Sequence, residues 1–489
     1  MKWRQNSSSS NVNSRSWAEP VTQETAPVIR NREEAEAFLD KRIGRGVQPG
    51  LERITGLLAF MDDPQRAYPS IHIAGTNGKT TVSRMIQQIL GAHGLATGGF
   101  TSPHLERVEE RFTIHGVALD SHDFTDAVGD IAWFVVGYET SNGTEVTYFE
   151  VTAALAFSIF ATATVDVAVI EVGLGGRLDA TNVLDAAVSV ITGIDIDHTE
   201  YLGTSIAAIT AEKAAILKEL GTIVTGALPT DALDVVAGRV ADTGGNWIRA
   251  GRDFSVTDAQ LAIGGWHASV AGVFAEYQDL FLPIHGRHQV DNLATSLATA
   301  EMFLGRALDP NLVQVAVAAT SAPGRLEIVG RQPVVILDGA HNAQGFRGLA
   351  ATLDTELPTM SWQLVLGARG QRSVASIVAP LRGLVGHVFA TAAGDPSSID
   401  ARVVADEAAD ALGVPADPYP DVPTALVAAK DAAGSSGGVV VAGSLYVVGE
   451  ARREVDWPPD KSAEAHMRFE AERIDDVSEE TEPYDLPDE

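Results

Sequence analysis

The sequence contains no cysteine among its 489 residues. This absence excludes disulfide bonds, metal sites built from thiolates and catalysis by a cysteine nucleophile. It fits a protein of the reducing cytoplasm, where we expect this chain to reside, although a secreted chain can also lack cysteine.

Basic residues are scarce, because 35 lysines and arginines face 65 aspartates and glutamates, which gives a net charge of −30. Nucleic-acid binding requires a positive surface, so we predict no nucleic-acid partner. Part of the charge lies in residues 475–489, which include no basic residue. We predict that residues 456–489 form a disordered acidic tail, with partner binding as the alternative. An anionic substrate would need a locally basic pocket.

Uninterrupted apolar runs that could cross a membrane are missing as well. The segment Val151–Val172 is interrupted by threonine, serine and aspartate, which predicts a buried helix followed by the strand Val167–Val172. The first 20 residues are rich in serine and asparagine and argue against a signal peptide. We expect residues 1–29 to be disordered and the protein to have no membrane partner.

Apolar strands that alternate with helices make up most of the chain, a pattern typical of an α/β fold with doubly wound sheets. We predict one domain over residues 30–322, including a connector at 309–322, and a smaller one over residues 323–455. A stretch from Phe254 to Leu282 alternates as short antiparallel strands do. The other predicted strands are Ile71–Ala74, Val167–Val172, Ala187–Thr192, Thr222–Thr225, Val334–Leu337, Gln363–Leu366, His387–Ala390 and Gly438–Ala442.

The segment Ser70–Thr81 reads as a strand, the loop Gly-Thr-Asn-Gly, and a helix that begins near Thr80. Such a loop directs backbone N–H groups and a helix N-terminus at one point, which suits phosphate. Lys79 would reach the outer phosphates, and the Thr80 hydroxyl would bind Mg²⁺. The general phosphate-loop pattern has a glycine where Ile73 stands, so an ordinary strand-to-helix turn is the alternative. Gly-Lys-Thr in this context favours a nucleoside triphosphate site.

Glu171 lies inside an apolar strand that ends in Gly-Leu-Gly-Gly-Arg177. Burial of a lone carboxylate is costly unless a cation or hydrogen-bond donors compensate it. A metal ion at the end of the strand would do so, and a structural ion pair with Arg177 is the alternative. The glycines lack the last position of a dinucleotide-binding fingerprint, which excludes that interpretation.

Two further residues follow predicted strands and carry groups that bind divalent cations. His198 follows the strand that ends at Thr192, and Ser102 follows another strand edge. An imidazole nitrogen and a hydroxyl oxygen are both metal ligands, and Mg²⁺ prefers oxygen. We predict that both residues belong to the metal site of Glu171, with an ordinary polar loop role for His198 as the alternative.

Lys213 lies on a helix predicted over Ile206–Glu219. Most helical lysines are solvated, which is the first interpretation. The second is that Lys213 lies near the metal ions, where its neutral amine could add carbon dioxide and become a carbamate.

Together these segments resemble the folylpolyglutamate synthase and dihydrofolate synthase family, relatives of the Mur ligases. Mur ligases have the same shorter phosphate loop, so Ile73 at the position of the usual glycine does not argue against a phosphate site. The Thr-Ser-Pro-His and Gly-Leu-Gly-Gly-Arg segments favour the folate branch. The resemblance runs from about Gly50 to Glu450 and rests on the segments Gly50–Arg53, Gly75–Thr80, Thr101–Leu105, Thr147–Glu150, Glu171–Arg177, Asp179–Asn182, Asp197-His198, Glu212-Lys213, His288–Asn292, Pro323–Glu327, Leu337–Asn342 and Gly443–Tyr446.

The resemblance implies a Mur-ligase-like P-loop ATPase domain followed by a smaller Rossmann-like domain, and it implies a role for each matching residue. Ser102, Glu171 and His198 would hold Mg²⁺, as two ions, and Lys213 would be carbamylated. Catalytic roles would fall to Lys79, Lys213 and His341. ATP would be bound by Gly75, Thr76, Asn77, Gly78, Lys79, Thr80, Thr81, Asn292, Arg325 and Asp338. Substrate contacts would come from Thr147, Tyr148, Phe149, Arg177 and Ser444.

The implied reaction uses ATP to convert a carboxylate into an acyl phosphate, which the amine of glutamate attacks with release of phosphate. The substrates would be dihydropteroate, reduced folates, L-glutamate and ATP, and we expect a monomer. Residues 50–53 and 147–150 match the bifunctional members, so we predict both activities. The alternative is polyglutamylation alone, with Tyr148 and Phe149 as ordinary core.

Three other functions compete with this interpretation. A Mur-type ligase would use the same ATP site with a UDP-linked substrate and remains an alternative. A non-catalytic binding protein should have lost Lys79, Glu171 or His198, and all three are present. A GTPase switch would need an Asn-Lys-x-Asp run, which the sequence lacks.

Overall fold

The computed structural model describes residues 27–358, 360–370 and 373–455. The predictions made for residues 1–26 and for the acidic tail at 456–489 therefore lie outside the described residues.

The first sheet holds eight strands of the described chain: β1 (Ser70–Ala74), β2 (Thr97–Phe100), β3 (Phe112–Ile114), β4 (Val117–Ala118), β5 (Val167–Glu171), β6 (Val188–Ile191), β7 (Thr222–Thr225) and β8 (Asn246–Arg249). Their order is β4-β3-β2-β5-β1-β6-β7-β8. The six strands from β2 to β8 in that order are parallel, and β3 and β4 form an antiparallel edge. Every residue of β1 and β5 is buried, as expected for central parallel strands covered on both faces.

Eight helices accompany this sheet: α1 (Arg32–Asp40), α2 (Glu52–Phe60), α3 (Lys79–Ala92), α4 (Ser121–Asn142), α5 (Tyr148–Thr162), α6 (Thr199–Leu202), α7 (Ile206–Ala214) and α8 (Thr230–Thr243). The apolar segment 151–172 divides into helix and strand as predicted. The prediction that α7 continues to Glu219 is wrong. Ile216 and Leu217 instead turn back to hydrogen-bond the carbonyls of Lys213 and Ala214, and the chain then enters β7. Short 3-10 helices cover Ile43–Arg45, Pro64–Arg66, Val108–Arg111, Ala180–Val183 and Ala379–Leu381.

The predicted antiparallel stretch forms a three-stranded sheet of β9 (Ser255–Ala262), β10 (Gly265–Ala271) and β11 (Glu276–Leu282), in the order β11-β10-β9. It shares one hydrophobic core with α9 (Arg287–Leu304) and α10 (Pro310–Ala318). The segment 309–322, expected as a connector, is therefore mostly a packed helix. α9 begins where the chain returns to the edge of the first sheet, which brings its first turn to the site described below.

The second sheet contains β12 (Glu327–Arg331), β13 (Val334–Leu337), β14 (Trp362–Leu366), β15 (Val385–Ala390), β16 (Ala416–Pro418) and β17 (Gly438–Ala442). Its order is β12-β13-β17-β14-β15-β16, and only β12 is antiparallel to its neighbour within the described ranges. The helices here are α11 (Ala343–Glu356), α12 (Val374–Val378), α13 (Ala401–Leu412), α14 (Val422–Ala433) and α15 (Leu445–Arg453). Over the described part of the chain, no helix combines the length and apolarity that a membrane span needs.

Polar contacts fix the second sheet against the first part of the chain. Glu356, at the end of α11, accepts hydrogen bonds from Trp266 Nε1 (3.1 Å), His285 Nδ1 (2.7 Å) and the backbone N–H of Gly286 (2.8 Å). Arg452 of α15 forms ion pairs with Glu327 of its own sheet and with Glu106. Gly286 is the residue before α9, so the contacts of Glu356 couple the second sheet to the first turn of that helix.

Candidate active site

Four parallel strands deliver the predicted site residues to one edge of the first sheet. β1 leads into the loop 75–78, β2 into Ser102, β5 ends at Glu171 and β6 leads into residues 192–198. The register pairs Ile73 with Glu171 across β1 and β5. Because the carboxyl ends of parallel strands meet at the same edge, residues far apart in sequence converge there.

The loop 75–78 has the shape that a phosphate-binding turn requires. Gly78 has a φ of 84°, and a Cβ atom there would lie 2.8 Å from Asn292 Oδ1, so both backbone and space favour glycine. The Thr76 N–H donates to the Gly193 carbonyl (2.8 Å), and the Thr192 hydroxyl donates to the Asn77 carbonyl (2.6 Å). α3 begins at Lys79, directly after the loop, so its N-terminus faces the same point.

Two lysines converge on one carbonyl of this loop. Lys79 Nζ donates to Gly75 O (3.1 Å), and Lys213 Nζ donates to the same oxygen (2.9 Å). Lys213 is only 5% exposed, which contradicts the interpretation of a solvated helical lysine. Burial, and then the positive charge of Lys79, lower the pKa of Lys213 to about 7. A large share of its amines is therefore neutral near neutral pH.

Glu171 is buried beside the loop without an ion pair in the described ranges. Its Oε2 accepts a hydrogen bond from the Thr80 hydroxyl (3.0 Å) and one from the Ser102 N–H (3.4 Å). Arg177 pairs instead with Glu212 (2.9 Å), so the alternative of a Glu171–Arg177 ion pair is wrong. Burial raises the pKa of Glu171, against the opposing effect of the Lys79 charge.

The residues around Glu171 fit a magnesium ion. The described residues hold no cluster of three or more histidine or carboxylate side chains arranged for a metal. Mg²⁺ commonly takes one carboxylate, hydroxyls, water and substrate phosphates rather than a complete protein cage. A buried carboxylate beside the hydroxyl of Thr80 and next to Ser102 provides that partial set.

His198 lies on the wall of the same cavity as Glu171. It has a φ of 50°, is the residue before α6, and its side chain is 38% exposed. Its Nε2 lies 3.9 Å from Asp197 Oδ2. The structure thus brings His198 to the predicted site, and its metal ligation stays a prediction.

The turn after β13 carries the second sheet's contribution to the site. Asp338 accepts hydrogen bonds from the Leu326 and Ala340 N–H groups (2.9 Å each), and burial raises its pKa while the Arg325 charge opposes that shift. Burial lowers the pKa of Arg325. His341 Nε2 lies 3.5 Å from Asp197 Oδ2.

The phosphate loop also contacts the second sheet directly. Asn77 Nδ2 donates to Gln344 Oε1 (2.6 Å) and to Asn342 Oδ1 (3.2 Å), and Asn342 Nδ2 donates to Asp197 (2.8 Å). Arg347 pairs with Asp195 in the same region. Sequence reasoning missed Gln344 and Arg347, because no short pattern marks residues that only the packing of two sheets brings to the loop.

These groups surround one cavity of about 550 Å³, which we call the phosphate-loop cavity. Its lining combines the strand ends of the first sheet with the turn after β13. It includes all ten predicted ATP residues, Gly75, Thr76, Asn77, Gly78, Lys79, Thr80, Thr81, Asn292, Arg325 and Asp338, and also Ser102, Glu171, His198, Lys213 and His341.

A second cavity of about 850 Å³, which we call the aromatic cavity, adjoins the first. Thr147, Tyr148, Phe149 and Arg177 line it, and Tyr148 and Phe149 also pack against the neighbouring buried core, so their substrate contact stays a prediction beside the alternative of a packing role. Both aromatic side chains are half-buried at its wall. The two cavities share the residues Ser102, Pro103, Gly173, Leu174, Gly175 and Leu202. A molecule in one cavity can therefore present a reacting group to a molecule in the other.

Ser444 is the one predicted site residue that lines neither cavity in the described structure. It is 3% exposed, and its hydroxyl accepts the N–H of Tyr446 (3.2 Å) at the start of α15. Its neighbours Leu445 and Tyr446 line the phosphate-loop cavity and the aromatic cavity respectively. Substrate contact by Ser444 stays a prediction.

Comparison with known proteins agrees with this geometry. Residues 73–300 match the family model described as the Mur ligase middle domain, and residues 324–445 match that of the Mur ligase, glutamate ligase domain. The dihydrofolate synthase/folylpolyglutamate synthase of Mycobacterium tuberculosis is 37% identical over 88% of this chain and 95% of that protein. The chain belongs to the dihydrofolate synthase/folylpolyglutamate synthase family of Mur ligases. It is an ATP-dependent ligase of this family.

Solved structures of family members share the whole architecture. Mycobacterium tuberculosis folylpolyglutamate synthase complexed with ADP has a TM-score of 0.83 and 36% identity, and the match covers 88% of this chain and 99% of that one. E. coli FolC in complex with DHPP and ADP has a TM-score of 0.78 and 28% identity, over 87% of this chain and 98% of that one. The predicted fold, a P-loop ATPase domain followed by a smaller α/β domain, is confirmed.

Proposed function

We propose that this ligase is bifunctional, joining L-glutamate both to dihydropteroate and to reduced folates. The observation that carries the proposal is the junction of the two cavities at Ser102 and Gly173–Gly175. The phosphate-loop cavity suits a nucleotide, and the aromatic cavity has the volume and the flat side chains that suit a pterin and its benzoate. The name of the Mycobacterium tuberculosis relative contains both activities.

In this proposal the loop 75–78 and the first turn of α3 hold the phosphates of ATP. Lys79, whose ammonium now rests on the Gly75 carbonyl, would turn to the transferred phosphoryl group and stabilise its negative charge. Asn292 and Arg325 would contact the rest of the nucleotide from the cavity wall. The acceptor carboxylate would meet the phosphoryl group at the junction beside Ser102.

Glu171, Ser102, Thr80 and His198 would hold magnesium, which when bound neutralises charge on the phosphates. We propose two ions and a carbamate on Lys213. The carbamate forms when the neutral amine attacks carbon dioxide and loses one proton. Its negative charge would replace an ammonium that burial, and then the nearby Lys79 charge, already disfavour.

The second sheet would bind the incoming glutamate and close the site. His341 lines the same cavity as the phosphate loop, where it would orient the attacking amine, and Asn342, the next residue, donates a hydrogen bond to Asn77. Contacts from both sheets would exclude water from the acyl phosphate. We propose a division between the domains at residues 322–323. We also propose a monomeric enzyme, because one chain contributes all the residues that we assign to the site; light scattering of the purified protein tests this.

ADP release measured with L-glutamate and each acceptor in turn tests the proposal. We expect magnesium-dependent ADP release with dihydropteroate and with tetrahydrofolate. Release with tetrahydrofolate alone would reduce the activity to polyglutamylation. Release with a UDP-linked substrate, with both folate acceptors inert, would contradict the proposal.

A further inference from the structure

Arg111 lies on the wall of the aromatic cavity and is 6% exposed. It ends the 3-10 helix Val108–Arg111, and its carbonyl accepts a hydrogen bond from the Thr101 N–H (3.0 Å). Its backbone is therefore fixed beside Ser102, at the junction of the two cavities. No pattern in the sequence marks this arginine as part of a site.

The contacts of the Arg111 side chain carry no negative charge. Its Nε donates to His104 Nδ1 (3.0 Å), and its Cζ lies 5.4 Å from the centroid of the Tyr148 ring. Because His104 Nδ1 accepts this hydrogen bond, it carries no proton of its own, and His104 is a neutral partner. No ion pair within the described ranges includes Arg111. A buried guanidinium without a counter-charge is costly, which indicates that an anion completes the site.

Several of the carboxylates that line the cavity pair with arginines other than Arg111. Glu36 pairs with Arg32 (2.8 Å), Glu212 with Arg177 (2.9 Å) and Asp395 with Arg369 (3.0 Å). Three further lining carboxylates, Asp40, Asp179 and Glu450, form no ion pair with Arg111 within the described ranges, so the charge of Arg111 remains available for a ligand. Because the guanidinium is planar, it suits a carboxylate, which it binds through two parallel hydrogen bonds.

We propose that Arg111 binds the acceptor's second carboxylate, the one that does not react. A folate ends in a glutamate with two carboxylates, and only one of them can lie at the junction with the phosphate-loop cavity. Dihydropteroate has a single carboxylate, so Arg111 has no partner in that reaction. Arg111 therefore distinguishes a glutamate-bearing acceptor from one that bears none. This inference rests on the proposed function.

Replacement of the charge tests the proposal within one enzyme. We expect Arg111→Gln to raise the KM for tetrahydrofolate roughly 10- to 100-fold, as the loss of a charge-assisted pair predicts. The KM values for dihydropteroate and ATP should change less than about threefold, which also demonstrates that the variant is folded. Arg107→Gln, an exposed arginine on the same loop, is the matched control and should change none of the three constants.

A modified substrate gives a second test that needs no folded variant. A folate whose non-reacting carboxylate is a carboxamide should have a similarly raised KM with the wild-type enzyme, and Arg111→Gln should no longer distinguish acid from amide. Equal increases for dihydropteroate and tetrahydrofolate, or an amide as good as the acid with wild type, would overturn the inference. Failure of the wild-type enzyme with both acceptors would instead refute the proposed function.

Discussion

The phosphate-loop cavity and the aromatic cavity share a wall but are built differently. The first depends on the consecutive residues 75–81, completed by the second sheet, and holds several charged groups in about 550 Å³. The second is larger, about 850 Å³, and is assembled from α1, the segment 46–50, α5 and the loop around Arg111. In the proposed function, phosphate binding would thus follow from a local backbone shape, whereas acceptor recognition would follow from the packing of distant segments.

Loss of Lys79 should have the largest effect and should not depend on the acceptor. We expect Lys79→Ala to lower kcat by roughly 10²–10³-fold or more with both acceptors, because the phosphoryl group loses its countercharge. ADP release measures this effect. The exposed Lys41→Ala is the control, and a near-normal kcat in Lys79→Ala would contradict the assignment.

Loss of the Glu171 charge should weaken the binding of magnesium. Glu171→Gln retains the size of the side chain, and we expect it to raise the Mg²⁺ concentration for half-maximal activity roughly 10- to 100-fold. A magnesium titration of ADP release measures this shift, with the exposed Glu219→Gln as the control. An unchanged titration would make Glu171 a structural residue only.

Truncation of Phe149 should affect binding in the aromatic cavity and leave binding in the phosphate-loop cavity unchanged. Phe149 lines the aromatic cavity but not the phosphate-loop cavity. We therefore expect Phe149→Ala to raise the KM for dihydropteroate about tenfold through lost apolar contact. The KM for ATP should stay unchanged. Phe274→Ala, at a half-exposed ring outside both cavities, is the control. Parallel increases in both constants would mean that the cavities do not act separately.

A change of pH, which alters the protonation of the Lys213 amine, should have the smallest effect. With its pKa lowered to about 7, its amine is mostly neutral above pH 7, and at pH 6 about nine-tenths of it is protonated. We therefore expect the carbamate signal in ¹³C NMR with labelled bicarbonate, and kcat with it, to fall several-fold between pH 8 and pH 6. The signal should be absent in Lys213→Arg. A signal that persists in that variant would place the carbamate elsewhere.

Sequence patterns predicted the local parts of this protein well. β1, β7, β13 and β17 lie within one residue of their predicted bounds, because runs of apolar β-branched residues bounded by turns specify buried strands. The phosphate loop was also predictable, since its glycines and lysine act at fixed spacing. The end of α7 was not, because the turns at Ile216 and Leu217 depend on where the chain must enter β7.

The sequence did not reveal which residues far apart in the chain form ion pairs and hydrogen bonds. The sequence allowed an ion pair between Arg177 and Glu171, but the fold pairs Arg177 with Glu212. Arg111 carried no signal, because its lack of a counter-charge exists only after α5 and the loop 101–111 have packed together. The contacts of Asn77 with Asn342 and Gln344 join residues more than 260 positions apart.

The sequence by itself determined the order of strands and helices, the phosphate loop and the absence of any thiol chemistry, because these depend on residue type and short spacing. The tertiary structure decided which charges are paired, that Lys213 is buried against the loop, and that the two cavities meet at Ser102. Those properties depend on distances between strand ends and between sheets, which are set by packing and not by neighbouring residues in the chain.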